Sequence, residues 1–171
     1  MSASFDAFDP DKFESQFWQP IGKFVISFGY LERDVDWAIA ALLQVHLRQG
    51  EAITSQIKNL SARIRLINKL CKLLTANDAD RKIMKAICSK ITLCNIYRNN
   101  LVHGPWGAQL IQENAWQKHR VEPQDFKVKW FELRLNELEE KIALVRSTGP
   151  ELINFVQKIL KNRAAKASPI A

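Results

Sequence analysis

Arg98, Asn99, Asn100 and His103 crowd four polar or proton-exchanging side chains into six positions of Asn95-Ile-Tyr-Arg-Asn-Asn-Leu-Val-His-Gly-Pro105. No other stretch of the chain combines so many. Arginine is always charged and its planar fork matches phosphate oxygens, while histidine exchanges a proton near neutral pH. Side by side they supply what phosphodiester cleavage without a metal requires. The cation meets charge growing at phosphorus, and the imidazole serves an oxygen as acid or base. Taken alone, a histidine at a helix end also reads as a cap near the negative pole of the dipole.

The side chains must be held by the helix that ends there. Asn77-Asp78 opens it, Ile83, Ile87, Ile91 and Cys94 recur at turn spacing, and Gly104-Pro105 prevents its continuation. At roughly 100° per residue Arg98 falls within that apolar stripe, His103 lies roughly 140° round from it, and Asn99 lies between. The length of Arg98 and a loosening of the helix at Gly104-Pro105 let the groups converge. Upstream, Phe24, Val25, Phe28, Leu31, Val35, Ile39, Leu42 and Leu43 mark a long helix. The stripe of Ile21, Val25, Phe28, Val35 and Ile39 includes Glu32. Opposite charges on two core-facing stripes predict a pair, because an unpartnered buried charge is costly. Either the pair is structural and fixes helix register, or Glu32 orients Arg98 inside a polar cleft.

The remaining elements follow the same signals. Asp9 caps and Pro10 opens a short helix through about Trp18, Pro20 starts or kinks the long one, and Gln49-Gly50 ends it. A helical region from Glu51 to Lys58 follows, then a helix capped by Ser61 that carries Ile64, Ile67, Leu70, Cys71 and Leu74. After Pro105, Trp106 to Gln112 and Phe126 to Glu132 alternate in part and predict a two-stranded hairpin or extended arm. Helix returns at Asn136, with Leu138, Ile142 and Val145 inward, and Gly149-Pro150 breaks it or opens a second segment through Leu160. A chain of 171 residues, 47% hydrophobic, fits one domain. The boundaries are a single helical domain over 1–162, with an insertion at about 106–132, and a basic flexible tail over 163–171.

Several function classes drop out. The amino terminus carries acidic residues where a secretory signal carries basic ones, and no apolar run approaches a membrane span, so a cytoplasmic protein with no membrane partner is expected. Cys71, Cys88 and Cys94 lack C-x-x-C spacing, and His46, His103 and His119 are scattered, so no metal and no cofactor is expected. A net charge of +7 and a pI near 9.5 favour a polyanionic partner.

Arg98-Asn99-Asn100-Leu101-Val102-His103 resembles the R-x4-6-H motif, with a polar residue after the arginine, of the HEPN superfamily. The motif is short, but its place near the end of an internal helix in a helical chain is similar as well. The likeness covers roughly Phe13 to Pro105 in architecture. It implies an all-α, HEPN-like helical bundle, commonly dimeric, in a family rich in metal-independent endoribonucleases of toxin–antitoxin, phage-defence and RNA-processing systems.

Carried over, the resemblance makes His103 the acid or base at the ribose 2'-hydroxyl or the leaving oxygen. Arg98 becomes the group that neutralises the phosphorane, and Asn99 a ligand of the phosphate or of His103. Glu32 and Asn100 are supporting candidates. One candidate histidine per chain, facing a reaction with two proton transfers, implies a homodimer. RNA is the implied substrate, and an antitoxin or regulatory protein an implied partner. Some antitoxin-paired members carry a tyrosine two positions after the histidine as the target of nucleotide transfer. Pro105 stands there in this chain, which puts that form of neutralisation in doubt. The alternative class is a non-catalytic HEPN-like dimeric module that binds RNA, a nucleotide or a protein partner.

Overall fold

Among the described residues, apolar positions at helical spacing build five helices: α1 Ser15–Leu43, α2 Leu47–Ser55, α3 Leu60–Leu74, α4 Asp78–Val102 and α5 Leu135–Ala167. The computed structural model describes residues 15–75, 77–103, 106–112, 115–121 and 128–167. The opening expected at Asp9-Pro10 lies outside them. Helices make the body of the fold, and among the described residues none is long and apolar enough to cross a membrane.

The core sits between α1 and α5 and is closed by α3 and α4. Phe24, Leu31, Val35 and Ile39 of α1 meet Leu138, Leu152 and Val156 of α5, with Ile67 of α3 and Met84, Ile87 and Ile91 of α4. Each such side chain contributes about 1.5–3 kcal/mol on burial. Ion pairs fix how α3 and α4 sit on this pair. Arg63 of α3 grips Asp36 of α1 at 3.1 Å, and Lys90 of α4 meets Glu151 of α5 at 2.6 Å. Lys158 of α5 reaches the buried Asp80 of α4 at 2.9 Å.

Four expectations are corrected by these packing constraints. The long helix stops at Leu43, not Gln49-Gly50. Gln44 takes a left-handed φ of 57°, its N–H bonds Ala41 O at 3.0 Å, and Val45 N–H bonds Ala40 O at 3.1 Å. That is a Schellman ending, a position where glycine is the usual signal and none is present. Gly50 instead lies inside α2, where a Cβ would collide with Ala40 Cβ of α1, so the two helices cross there. The next helix is capped by Asn59, whose Oδ1 accepts from Ala62 N–H at 2.7 Å, rather than by Ser61.

Gly149-Pro150 does not break the last helix, which runs unbroken to Ala167, past both Leu160 and residue 162. The buried Leu152, Phe155, Val156 and Ile159 continue the stripe of Leu138, Ile142 and Val145, and that burial outweighs the lost Pro150 donor. Glycine at 149 also admits the Asp34 carboxylate of α1, which a Cβ would strike.

Between α4 and α5 the described residues form three strands rather than two: β1 Trp106–Gln112, β2 Ala115–Val121 and β3 Val128–Arg134, antiparallel in the order β1-β2-β3. The β2–β3 ladder is regular from Ala115 opposite Arg134 to Val121 opposite Val128, whereas β1–β2 shifts register between Trp106 and Leu110. The central strand reads Gln-Lys-His-Arg through its middle, so it lacks the apolar alternation that marks a strand in sequence.

Candidate active site

Ion pairs to α5 and aromatic contacts to α1 position α4. Asp80–Lys158 and Lys90–Glu151 tie its first half to α5. Near its carboxy end the Tyr97 ring stands edge-on to Phe24 of α1 at 5.3 Å, and Phe24 stacks on Phe28 at 6.2 Å. The Arg98 guanidinium carbon lies 5.9 Å from the Phe28 ring centre. Consecutive residues of α4 therefore bracket one aromatic pair of α1, and the half-buried stem of Arg98 cannot wander.

The buried Tyr97 hydroxyl makes no hydrogen bond to a described residue. Burial, with a smaller push from Glu137, drives it up to about 12. Sequence periodicity gave no sign of this aromatic bracing, because Phe28 read only as one of the apolar positions of its helix.

From this footing Arg98 Nη1 donates to Asn99 Oδ1 at 3.1 Å and lies 3.2 Å from His103 Nε2. Arginine has donors only, so the ring nitrogen facing it accepts and the imidazole carries its proton on Nδ1. His103 is the C-cap of α4. Its backbone turns extended, with φ −98° and ψ 138°, while its N–H still closes the last turn on Asn99 O at 3.0 Å. The exposed ring thereby swings to the guanidinium despite the 140° that an ideal helix would put between them. Nε and Nη2 of Arg98 make no hydrogen bond to a described residue, which leaves a donor edge for a ligand.

Two expected members stand apart. No ion pair joins Glu32 and Arg98. The core stripe of α1 runs through Phe24, Phe28, Leu31, Val35 and Ile39, with Val25 exposed, which turns Glu32 to the edge of that stripe. On α4 the buried residue is Met84, not the exposed Ile83. Asn100 is half-buried and bonds no described side chain. Of the other histidines, His46 caps α2, accepting from Arg48 N–H at 3.4 Å and taking Gln49 Oε1 on its own N–H. His119 lies on β2.

Among the described residues no three of His, Cys, Asp and Glu gather into a metal-ligand set. Burial pushes the Cys88 thiol up to about 11, and raises Cys71 and Cys94 as well, so these are inert packing groups and not nucleophiles. No family model matches the chain, and no curated protein and no solved structure matches it either.

Proposed function

We propose that the protein is a metal-independent endoribonuclease of HEPN type that cuts RNA through the ribose 2'-hydroxyl. The observation that supports this is the single guanidinium nitrogen of Arg98 shared between Asn99 and His103 at an exposed helix end. In this reading Arg98 transfers its grip from His103 Nε2 to the scissile phosphate when RNA arrives, baring the Nε2 lone pair. His103 then takes the 2'-hydroxyl proton, the 2'-oxygen attacks phosphorus, and the P–O5' bond breaks. Arg98 meets the charge on the equatorial oxygens, and Asn99 holds the guanidinium in its plane. The products are a 2',3'-cyclic phosphate and a 5'-hydroxyl.

The leaving oxygen needs a second proton donor, which a homodimer supplies as the other copy's His103. A face suited to such pairing runs along α1, where Val25, Ile26 and Tyr30 are exposed and Gly22 and Gly29 have open space above them. The HEPN-like bundle, the three-stranded insertion as a substrate or dimer element, and a toxin–antitoxin or phage-defence setting with an antitoxin partner belong to the same proposal. They rest on the motif resemblance. A non-catalytic RNA-binding module is the second reading, favoured by the mutual satisfaction of Arg98, Asn99 and His103 in the absence of substrate. An RNA carrying one 2'-deoxy nucleotide at the cut site separates the two. The nuclease leaves that bond intact while cutting the all-ribose strand, whereas a binding module cuts neither.

A further inference from the structure

Along α4, residues 85, 89, 92, 96 and 99 follow at intervals of four and three, so they form one stripe that ends at Asn99, which shares Arg98 Nη1 with the C-cap His103. The first four of them line a groove of about 400 Å³ between α3 and α4, together with Ile64 and Asn68 of α3. The stripe therefore leads from the groove to the candidate active site over about 21 Å, at 1.5 Å per residue.

The chemistry of that surface is one-sided. From Ala52 to Gln112 the chain holds ten lysines and arginines against two aspartates, both at the start of α4, so the segment that builds the groove is strongly basic, and Lys85 lines the groove itself. Arg63, Arg81 and Lys90 are engaged by carboxylates. Arg65, Lys69 and Lys72 on α3, and Lys82 and Lys85 on α4, are exposed and form no ion pair with a described residue. Arg65 and Lys72 share an edge of α3 with Asn68, on the groove side.

The groove floor is aliphatic, with Leu93 48% and Ile96 52% exposed. Ser89 and Thr92 donate their hydroxyl protons to the carbonyls of Lys85 and Cys88, at 2.9 and 2.8 Å, so their oxygens face outward as acceptors. Cations at the rim, apolar side chains on the floor and acceptors between them match phosphates, base faces and 2'-hydroxyl donors in turn.

We infer that the α3–α4 groove is the track along which single-stranded RNA lies as it enters the Asn99–His103 site. The inference deepens the ribonuclease reading and takes the identity of the strand from it. Fluorescein-labelled, unstructured all-ribose RNA tests it on the folded His103→Ala protein, which lacks the proposed cleavage base and leaves every 2'-hydroxyl donor in place.

Arg65→Glu with Lys85→Glu is expected to weaken binding at least tenfold and to lower the salt slope of log K by about 1.4, at about 0.7 per phosphate contact. The exposed pair Lys161→Glu with Arg163→Glu, far along α5, is expected to change affinity less than twofold. Equal effects of the two pairs would overturn the inference. So would an absence of binding by folded protein, which would return the groove to a protein partner. A protein that cleaves RNA but is indifferent to Arg65 and Lys85 loses the track and keeps the nuclease. One that binds through the groove but never cleaves keeps the track and loses the nuclease.

Discussion

Arg98 Nη1 and His103 Nε2 face each other across 3.2 Å, and the arginine brings only donors to that contact. The imidazole is thereby held with its proton on Nδ1, the minority form of free neutral histidine. Nitrogen-15 spectra of the neutral ring should show an unprotonated Nε2, and Arg98→Ala should return the ring to the Nε2–H form. A wild-type ring already protonated on Nε2 would mean that the contact does not persist in solution.

Glu32 and Arg98 behave as independent sites. Glu32→Ala should change stability by no more than about 0.5 kcal/mol, as expected for a surface substitution. Arg98→Ala should lose about 1 kcal/mol through its packing on Phe28. Chemical denaturation of the double variant should give the sum of the two. A coupling of several kcal/mol would restore the buried ion pair that helix periodicity suggested.

Gln44 holds a left-handed backbone that glycine adopts freely. Gln44→Gly should stabilise the protein by about 1 kcal/mol, the scale of the side-chain penalty in that region. A drop in the denaturation midpoint would show that this turn does not end α1 in solution.

Alkaline stability should report on Tyr97 and Cys88. Both hold their protons more tightly when folded, Tyr97 to about 12 against 10.0 and Cys88 to about 11 against 9.0. Folding therefore favours the neutral forms, and that stabilisation is complete below pH 9 and lost as pH rises through 11 and then 12. Tyr97→Phe should flatten the decline between pH 10 and 12. It should also be neutral or stabilising at pH 7, since it removes a buried hydroxyl with no partner among the described residues. An unchanged slope would mean that the hydroxyl is solvated.

Much of this was legible in the sequence, and the failures have physical causes. The turn spacing of Ile87, Ile91 and Cys94 located the helix that carries Arg98, and Asn77 announced its start. Met84 and Ile83 are both apolar, however, so periodicity could not say which of them faced inward. The same ambiguity between Phe24 and Val25 on α1 rotated the inferred stripe and drew Glu32 into it. Gly50 looked like a helix stop because a close crossing against Ala40 and a C-cap call for the same residue. The aromatic bracing of Arg98 depends on how α1 and α4 meet, which no local pattern encodes.

The proposed ribonuclease reaction rests on His103 and Arg98 acting on RNA without a metal. The most direct measurement incubates labelled single-stranded RNA with wild type and with His103→Ala in excess EDTA and analyses the product ends. Ribonuclease function predicts cleavage by wild type in chelator, 2',3'-cyclic phosphate termini, and loss of activity by at least a hundredfold in His103→Ala, the scale of one general acid–base group. Cleavage that vanishes in EDTA, or that survives unchanged in the folded His103→Ala protein, would contradict it.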